Sequence, residues 1–205
     1  RDELTTLYSN LYRLFLYPNA AYENTGTAAQ PHYRYASPFS APVGPDTSTQ
    51  TGARVLDGKP YVNNGFWDTY RTAWPAYVLL TPTQAGEMID GFVQQYRDGG
   101  WIARWSSPGY ADLMVGTSAD VAFADAWLKG VQNFDVRAFY QSALKDATVV
   151  SPLAGTGRKG LQRAIFHGYT DTGVSEGLSW SMDGYINDFA IGNLAAALAR
   201  QPAAD

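Results

Sequence analysis

Residues 81–100 read TPTQAGEMIDGFVQQYRDGG, and this stretch predicts a helix from both of its ends and along its length. Thr81-Pro82-Thr83-Gln84 has the spelling of a capping box, with proline at the first helical position, where an N–H has no intrahelical partner to lose. Ala85, Met88, Ile89, Phe92, Val93 and Tyr96 follow at three- and four-residue spacing and form one apolar stripe. Gly99-Gly100 ends it, since glycine accepts the left-handed geometry that closes a helix.

Outward from this segment the same spacing recurs. Leu4, Leu7, Tyr8, Leu11, Leu14 and Phe15 predict a first helix stopped by Pro18. A second runs from near Asp68 to Leu80 with a kink at Pro75. A fourth opens at Ser118 and closes at Gly130, and a fifth is capped by Asp135 and carries Val136, Phe139, Tyr140, Ala143 and Leu144. A sixth runs from a Ser175 cap to about Arg200, with Leu178, Met182, Tyr185, Phe189, Gly192, Ala196 and Ala199 as its seam. Gly177, Gly184 and Gly192 each cost roughly 1 kcal/mol against alanine inside a helix, so close approach of another helix is expected there.

The connections alternate in length. Turns at 80–82 and 130–135 are short, while 18–62, 99–117 and 148–174 are long. That pattern predicts an all-α fold of antiparallel helix pairs whose long loops gather to build a site. Within 18–62, residues 54–62 read as one small β-hairpin around Asp57-Gly58. No internal repeat of about 30–50 residues is present.

Composition removes several function classes. The chain has 205 residues, 14% aromatic and 17% charged, which argues against disorder. Net charge is −4 and the densest basic cluster is the pair Arg158-Lys159, so no nucleic-acid footprint is present. No apolar run approaches the roughly 20 residues of a membrane helix. Residues 1–17 lack the order of a signal peptide. Because the first residue is Arg1, the chain is expected to start inside a longer product. Zero cysteines exclude thiolate nucleophiles and zinc–sulfur sites, and suit a secreted or extracytoplasmic protein.

Gly155-Thr156-Gly157-Arg158-Lys159-Gly160 spells G-x-G-x-x-G, but Ser151-Pro152 interrupts the approach and no second βα unit follows, so it reads as a loop. His32 and His167 stand far apart and support neither a zinc site nor a Ser-His-Asp triad. Asp120 and Asp125 are turned about 140° from each other on a helix, and Asp183 and Asp188 likewise, so spacing reveals no carboxylate pair. Trp67, Trp101 and Trp105 lie at loop–helix junctions. There an indole either plugs a core or stacks on a sugar. Asp68 and Arg71, three apart, share one side of a turn next to Trp67 and pose the same choice between a satisfied salt bridge and a pocket wall.

A resemblance bears on that choice. Phe66-Trp67-Asp68-Thr69-Tyr70-Arg71 resembles the (L/F)WDT(F/Y)R signature of glycoside hydrolase family 92, the calcium-dependent exo-acting α-mannosidases. Met114-Val115-Gly116-Thr117-Ser118 with Ala124-Asp125-Ala126-Trp127-Leu128-Lys129-Gly130 is similar to that family's M-(I/V)-G…ADA-(Y/W)-x-KG helix. Gly157-Arg158-Lys159-Gly160-Leu161 through Gly168-Tyr169 resembles its GRKGL…GY segment. Ser175-Glu176-Gly177-Leu178 with Asp188-Phe189-Ala190-Ile191 resembles its S-x-T-L-E-Y-A…D-(W/F)-x-I segment.

The resemblance implies part of an (α/α)6 toroid, inverting hydrolysis of terminal α-mannosides in a mannose-containing glycan, and Ca²⁺ at the sugar. It implies a substrate-binding set of Trp67, Asp68, Arg71, Trp101, Ser118 and Asp120. Family segments carrying the catalytic acid, the base and the metal contact (TEGNAW, DDxGQMSAW and GNEP) do not occur here. The family's LEYAYDDW also becomes Leu178-Ser179-Trp180-Ser181-Met182-Asp183-Gly184-Tyr185. The chain is therefore expected to be an incomplete helical domain, residues 1–205, with its catalytic groups in the remainder of the same protein. A non-catalytic carbohydrate-binding domain and a purely structural helical module are the alternatives.

Overall fold

The computed structural model describes residues 1–201. Eight helices lie among them: α1 Asp2–Leu14, α2 Phe66–Thr69, α3 Ala73–Leu80, α4 Pro82–Gly99, α5 Ala119–Leu128, α6 Val136–Thr148, α7 Leu161–His167 and α8 Gly177–Leu198. Seven short strands accompany them: β1 Asn19–Ala20, β2 Glu23–Asn24, β3 Tyr33–Ala36, β4 Val55–Asp57, β5 Tyr61–Val62, β6 Asn64–Gly65 and β7 Trp105–Ser106.

The core is an aromatic cluster to which five successive helices each give a ring. Phe66 from α2, Trp74 from α3, Phe92 from α4, Phe123 from α5 and Phe139 from α6 are all fully buried. Trp74 meets Phe123 edge-on at 5.0 Å, Phe66 meets Phe92 at 5.0 Å, and Phe123 meets Phe139 at 5.5 Å. Edge-to-face pairs at such distances add to the gain from burial. The α4 stripe read from sequence is the face that joins this core: Ala85, Met88, Ile89, Phe92 and Val93 are buried.

Helix starts and breaks depart from the sequence reading in detail. Thr81 is the N-cap of α4 with Pro82 behind it, yet its hydroxyl donates back to the Tyr77 carbonyl at 3.3 Å, so the capping box does not form. The kink expected at Pro75 becomes a break at residues 70–72. In a continuous helix the Pro75 ring would clash with the Arg71 carbonyl one turn earlier. Starting α3 at Ala73 puts Pro75 in the first turn instead, where it is tolerated. The start of α8 is set at Glu176, in left-handed geometry, and not by a Ser175 cap.

The expected hairpin at 54–62 is replaced by longer-range pairing. Val55–Asp57 pairs antiparallel with Tyr33–Ala36, and Tyr61–Val62 pairs with Asn19–Ala20. Within the loop expected at 148–174, Leu161–His167 forms α7 between Gly160 and Gly168, both in left-handed geometry.

The largest correction concerns α8, which packs chiefly against α5. Its inward face is Trp180, Ser181, Gly184, Asn187, Ala190, Ile191 and Leu194. The predicted seam faces outward, with Leu178 78% and Phe189 71% exposed. Small and polar side chains let α8 approach the alanine-rich α5, and Asn187 binds the Thr117 backbone, accepting from its N–H at 3.2 Å. The glycine expectation fails for the same reason. A Cβ at Gly192 would meet nothing, one at Gly184 only the Arg158 guanidinium, and one at Gly177 the Asp171 backbone in the preceding loop. On α1 no residue is buried, and Leu4, Leu7, Tyr8 and Tyr12 are exposed.

Candidate functional site

The turn read as a site is held by its first residue. Phe66 is buried in the aromatic core, so α2 is nailed down at its start and its next residues are turned toward the surface. Trp67 is half-buried and its indole N–H donates to an Asp183 carboxylate oxygen on α8 at 3.2 Å. The Arg71 guanidinium lies 5.3 Å from the Trp67 ring centre and 4.5 Å from that of Tyr70, and it reaches the Trp67 carbonyl at 3.4 Å. Burial pushes the Asp183 carboxyl up, and the Trp67 N–H and the Arg71 charge pull it back. Asp68 faces elsewhere. It is exposed, and among the described residues it forms no ion pair with Arg71 or any other cation.

Asp68 lines an open groove of about 500 Å³ with Tyr17, Asn63, Asn64, Gly65, Thr69, Trp105, Ser106 and Ser107. The pairing of β6 with β7 builds it, setting Gly65 opposite Trp105 and Asn64 opposite Ser106. The Trp105 ring lies so close over Gly65 that any Cβ there would collide with it. Gly65→Ala is therefore expected to displace Trp105 and to cost about 1–3 kcal/mol by overpacking. Thermal unfolding together with Trp fluorescence of the variant checks this. The side of Asn64 is fixed by donation to the Thr69 hydroxyl at 3.2 Å, and Asn63 is held in left-handed geometry at φ 59°. The groove thus joins one free carboxylate, amides, hydroxyls and an indole, a set that suits a neutral polyhydroxyl ligand.

Three of the six residues expected to bind sugar lie elsewhere. Trp101 is 4% exposed, with the Lys145 ammonium 4.3 Å from its ring centre, and it serves as a core plug. Ser118 and Asp120, at the start of α5, are 2% and 1% exposed. Asp120 accepts from the Thr117 hydroxyl at 2.7 Å, and burial pushes its carboxyl up to about 7. The structure brings Trp67 and Arg71 together, sets Asp68 in the groove, and withdraws Trp101, Ser118 and Asp120 from the surface.

Two residues carry more weight in the structure than in the sequence. Trp105 is one of three junction tryptophans by spacing alone, and its place in the groove depends on a strand pairing some 40 residues away in sequence. Asp183 pairs with Asp188 in no helical geometry, and its partner is instead Trp67 on a different helix.

Helix pairs whose connecting segments frame an indole-edged polar groove define part of an (α/α)6-type scaffold. Residues 1–205 match the glycosyl hydrolase family 92 catalytic domain, and the chain belongs to that family. It is similar to the structure of the family GH92 inverting mannosidase BT2199 from Bacteroides thetaiotaomicron VPI-5482, at 26% identity and a TM-score of 0.70. That similarity covers 94% of this chain and 27% of BT2199, so the chain spans about a quarter of its relative's length. A comparison with curated proteins gave no match.

Calcium takes six to eight oxygen ligands. Among the described residues no group of three or more His, Cys, Asp or Glu side chains is placed to hold a metal. Among them, also, no helix is long and apolar enough to cross a membrane.

Proposed function

We propose that this chain supplies the sugar-binding wall of a glycoside hydrolase that removes terminal α-linked mannose with inversion. The observation that carries the reading is Asp68, an exposed carboxylate without an ionic partner among the described residues, held in the Trp105 groove by the buried Phe66. A carboxylate accepts charge-assisted hydrogen bonds from sugar hydroxyls, which are about twice as strong as neutral ones. Trp105 offers the apolar ring that stacks on a pyranose. Trp67, Arg71 and Asp183 act one step back by fixing the orientation of α2 through the indole–carboxylate bond and the stacked guanidinium.

Inverting hydrolysis needs an acid on the leaving oxygen and a base on water. In this proposal both come from the remainder of the same protein, together with calcium. That remainder covers the outward apolar face of α8, where Leu178, Met182 and Phe189 are exposed. Export from the cytoplasm belongs to the same reading. Two experiments test it. The intact protein is expected to release mannose from an aryl α-mannoside with inverted anomeric configuration, followed by proton NMR. The 205-residue chain alone is expected to show no turnover of the same substrate, and measurable turnover by it would overturn the division of labour.

A further inference from the structure

The segment Gly155-Thr156-Gly157-Arg158-Lys159-Gly160 reads as a loop, and the structure sets that loop against the hairpin that carries Trp105. The hairpin runs from Trp105 to Ala111. The Ala111 N–H donates to the Trp105 carbonyl at 2.9 Å, the Ser107 N–H donates to the Gly109 carbonyl at 2.8 Å, and Ser106 bridges to Tyr110. One edge of it is β7, which pairs with β6 and builds the groove. The other edge, Tyr110-Ala111, lies against the loop. A Cβ at Gly155 would stand 3.0 Å from the Ala111 nitrogen and 3.0 Å from the Tyr110 carbonyl carbon, so the two backbones touch with no side chain between them. The Arg104 N–H also donates to the Gly155 carbonyl, at 3.3 Å.

Charge closes the contact. Asp112, which follows the hairpin, pairs with Arg104, which precedes it. Lys159 from the loop reaches both oxygens of the same carboxylate, at 2.8 and 3.0 Å. The Lys159 hydrogen bond and the Arg104 charge hold the Asp112 carboxyl below its ordinary range, so this clasp is ionised at neutral pH. Arg104 is buried and bound to two further carbonyls, whereas Lys159 is 44% exposed and its ionic partner is Asp112. Lys159 is therefore the part of the clasp that can be removed without stranding a buried group.

We propose that the 151–160 loop is the back plate of the sugar-binding groove, with Gly155 and Lys159 as positioning residues that hold the Trp105 hairpin against β6. The inference rests on the groove reading given above. Neither residue lines the groove, and both act through the hairpin. A displaced indole stacks less well on a pyranose in the ground state and in the transition state alike, and loss of such uniform binding raises KM with kcat unchanged.

The test uses the intact protein. Lys159→Met is expected to raise KM for an aryl α-mannoside roughly two- to fivefold, the range of one exposed ion pair, with kcat unchanged. Lys159→Arg keeps the pair and is expected to restore the parent KM. Salt at about 1 M is expected to raise KM of the parent more than that of Lys159→Met, because screening removes only what the variant already lacks. Gly155→Ala drives the two backbones apart and is expected to raise KM at least as much. In Lys159→Met and Gly155→Ala, hydrogen exchange at the Ala111 amide is expected to quicken by a similar factor while the α4 amides keep their rates. Unchanged exchange at Ala111 in both variants would overturn the inference, and so would quickened exchange with KM unmoved. Failure of the groove reading itself shows separately, as full activity in Asp68→Ala.

Discussion

Asp68→Ala is expected to lower kcat/KM of the intact protein for an aryl α-mannoside by roughly 10- to 150-fold, the loss that follows from removing a hydrogen bond to a charged group. The side chain is exposed and makes no ion pair among the described residues, so the fold does not depend on it. Stability of the variant is expected within about 0.5 kcal/mol of the parent, as for other surface substitutions. That combination, a large kinetic loss with an unchanged melting curve, separates a ligand-binding carboxylate from a structural one. Asp68→Asn keeps the shape and loses the charge, and its rate is expected between the two. Equal loss of activity and stability would place Asp68 in the framework instead.

Arg104→Met is expected to have the largest effect on stability. The side chain is 1% exposed and ties two segments together through three partners: Asp112 by an ion pair, and the Ala154 and Gly157 carbonyls by hydrogen bonds. Methionine preserves most of the buried volume but leaves two carbonyls without their donor. Asp112 is itself 42% exposed and keeps Lys159, so the loss comes from the stranded carbonyls, at about 1–3 kcal/mol for each buried polar group left unsatisfied. Because the 151–160 loop is held to the 101–112 segment through this guanidinium, the loop is expected to open first. Chemical denaturation measures the total loss, and hydrogen exchange at Thr156 and Gly157 locates it. Burial also lowers the Arg104 guanidinium from its ordinary range, while the Asp112 charge opposes that shift. A loss under about 1 kcal/mol would mean that the Asp112 pair contributes no more than an exposed one.

Local features are legible in the sequence where local physics decides them. The α4 helix is one such case, since its apolar stripe, Pro82 and Gly100 all lie within twenty residues and all point the same way. The α8 helix is the opposite case. Its sequence offers a bulky apolar stripe and a face of glycine, serine and asparagine, and only the alanine-rich surface of α5 decides which turns inward. Periodicity measures amphipathicity, not the identity of the neighbour. The hairpin at 54–62 fails similarly, because Tyr61 and Val62 find partners at Ala20 and Asn19, which no local signal announces. The short α7 escapes a reading by period because it lies between left-handed glycines and spans only seven residues.

The candidate site divides along the same line. The Trp67-Asp68-Arg71 turn carries a family motif, and the buried Phe66 beside it explains why those residues are presented outward. Neither Asp183 nor Trp105 can be joined to that turn from spacing, since one reaches it from α8 and the other through β7. Trp101 and Asp120 are legible as residue types that bind sugars and illegible as buried groups. An indole at a junction and a carboxylate in a first helical turn read the same inside and outside a protein.

A structure of the intact protein with a mannose-terminated glycan bound tests the central claim most directly. The account predicts the terminal sugar in the Trp105 groove, with a hydroxyl within about 2.5–3.0 Å of an Asp68 oxygen. A sugar bound in full at another surface, with Asp68 still facing open solvent, would contradict it.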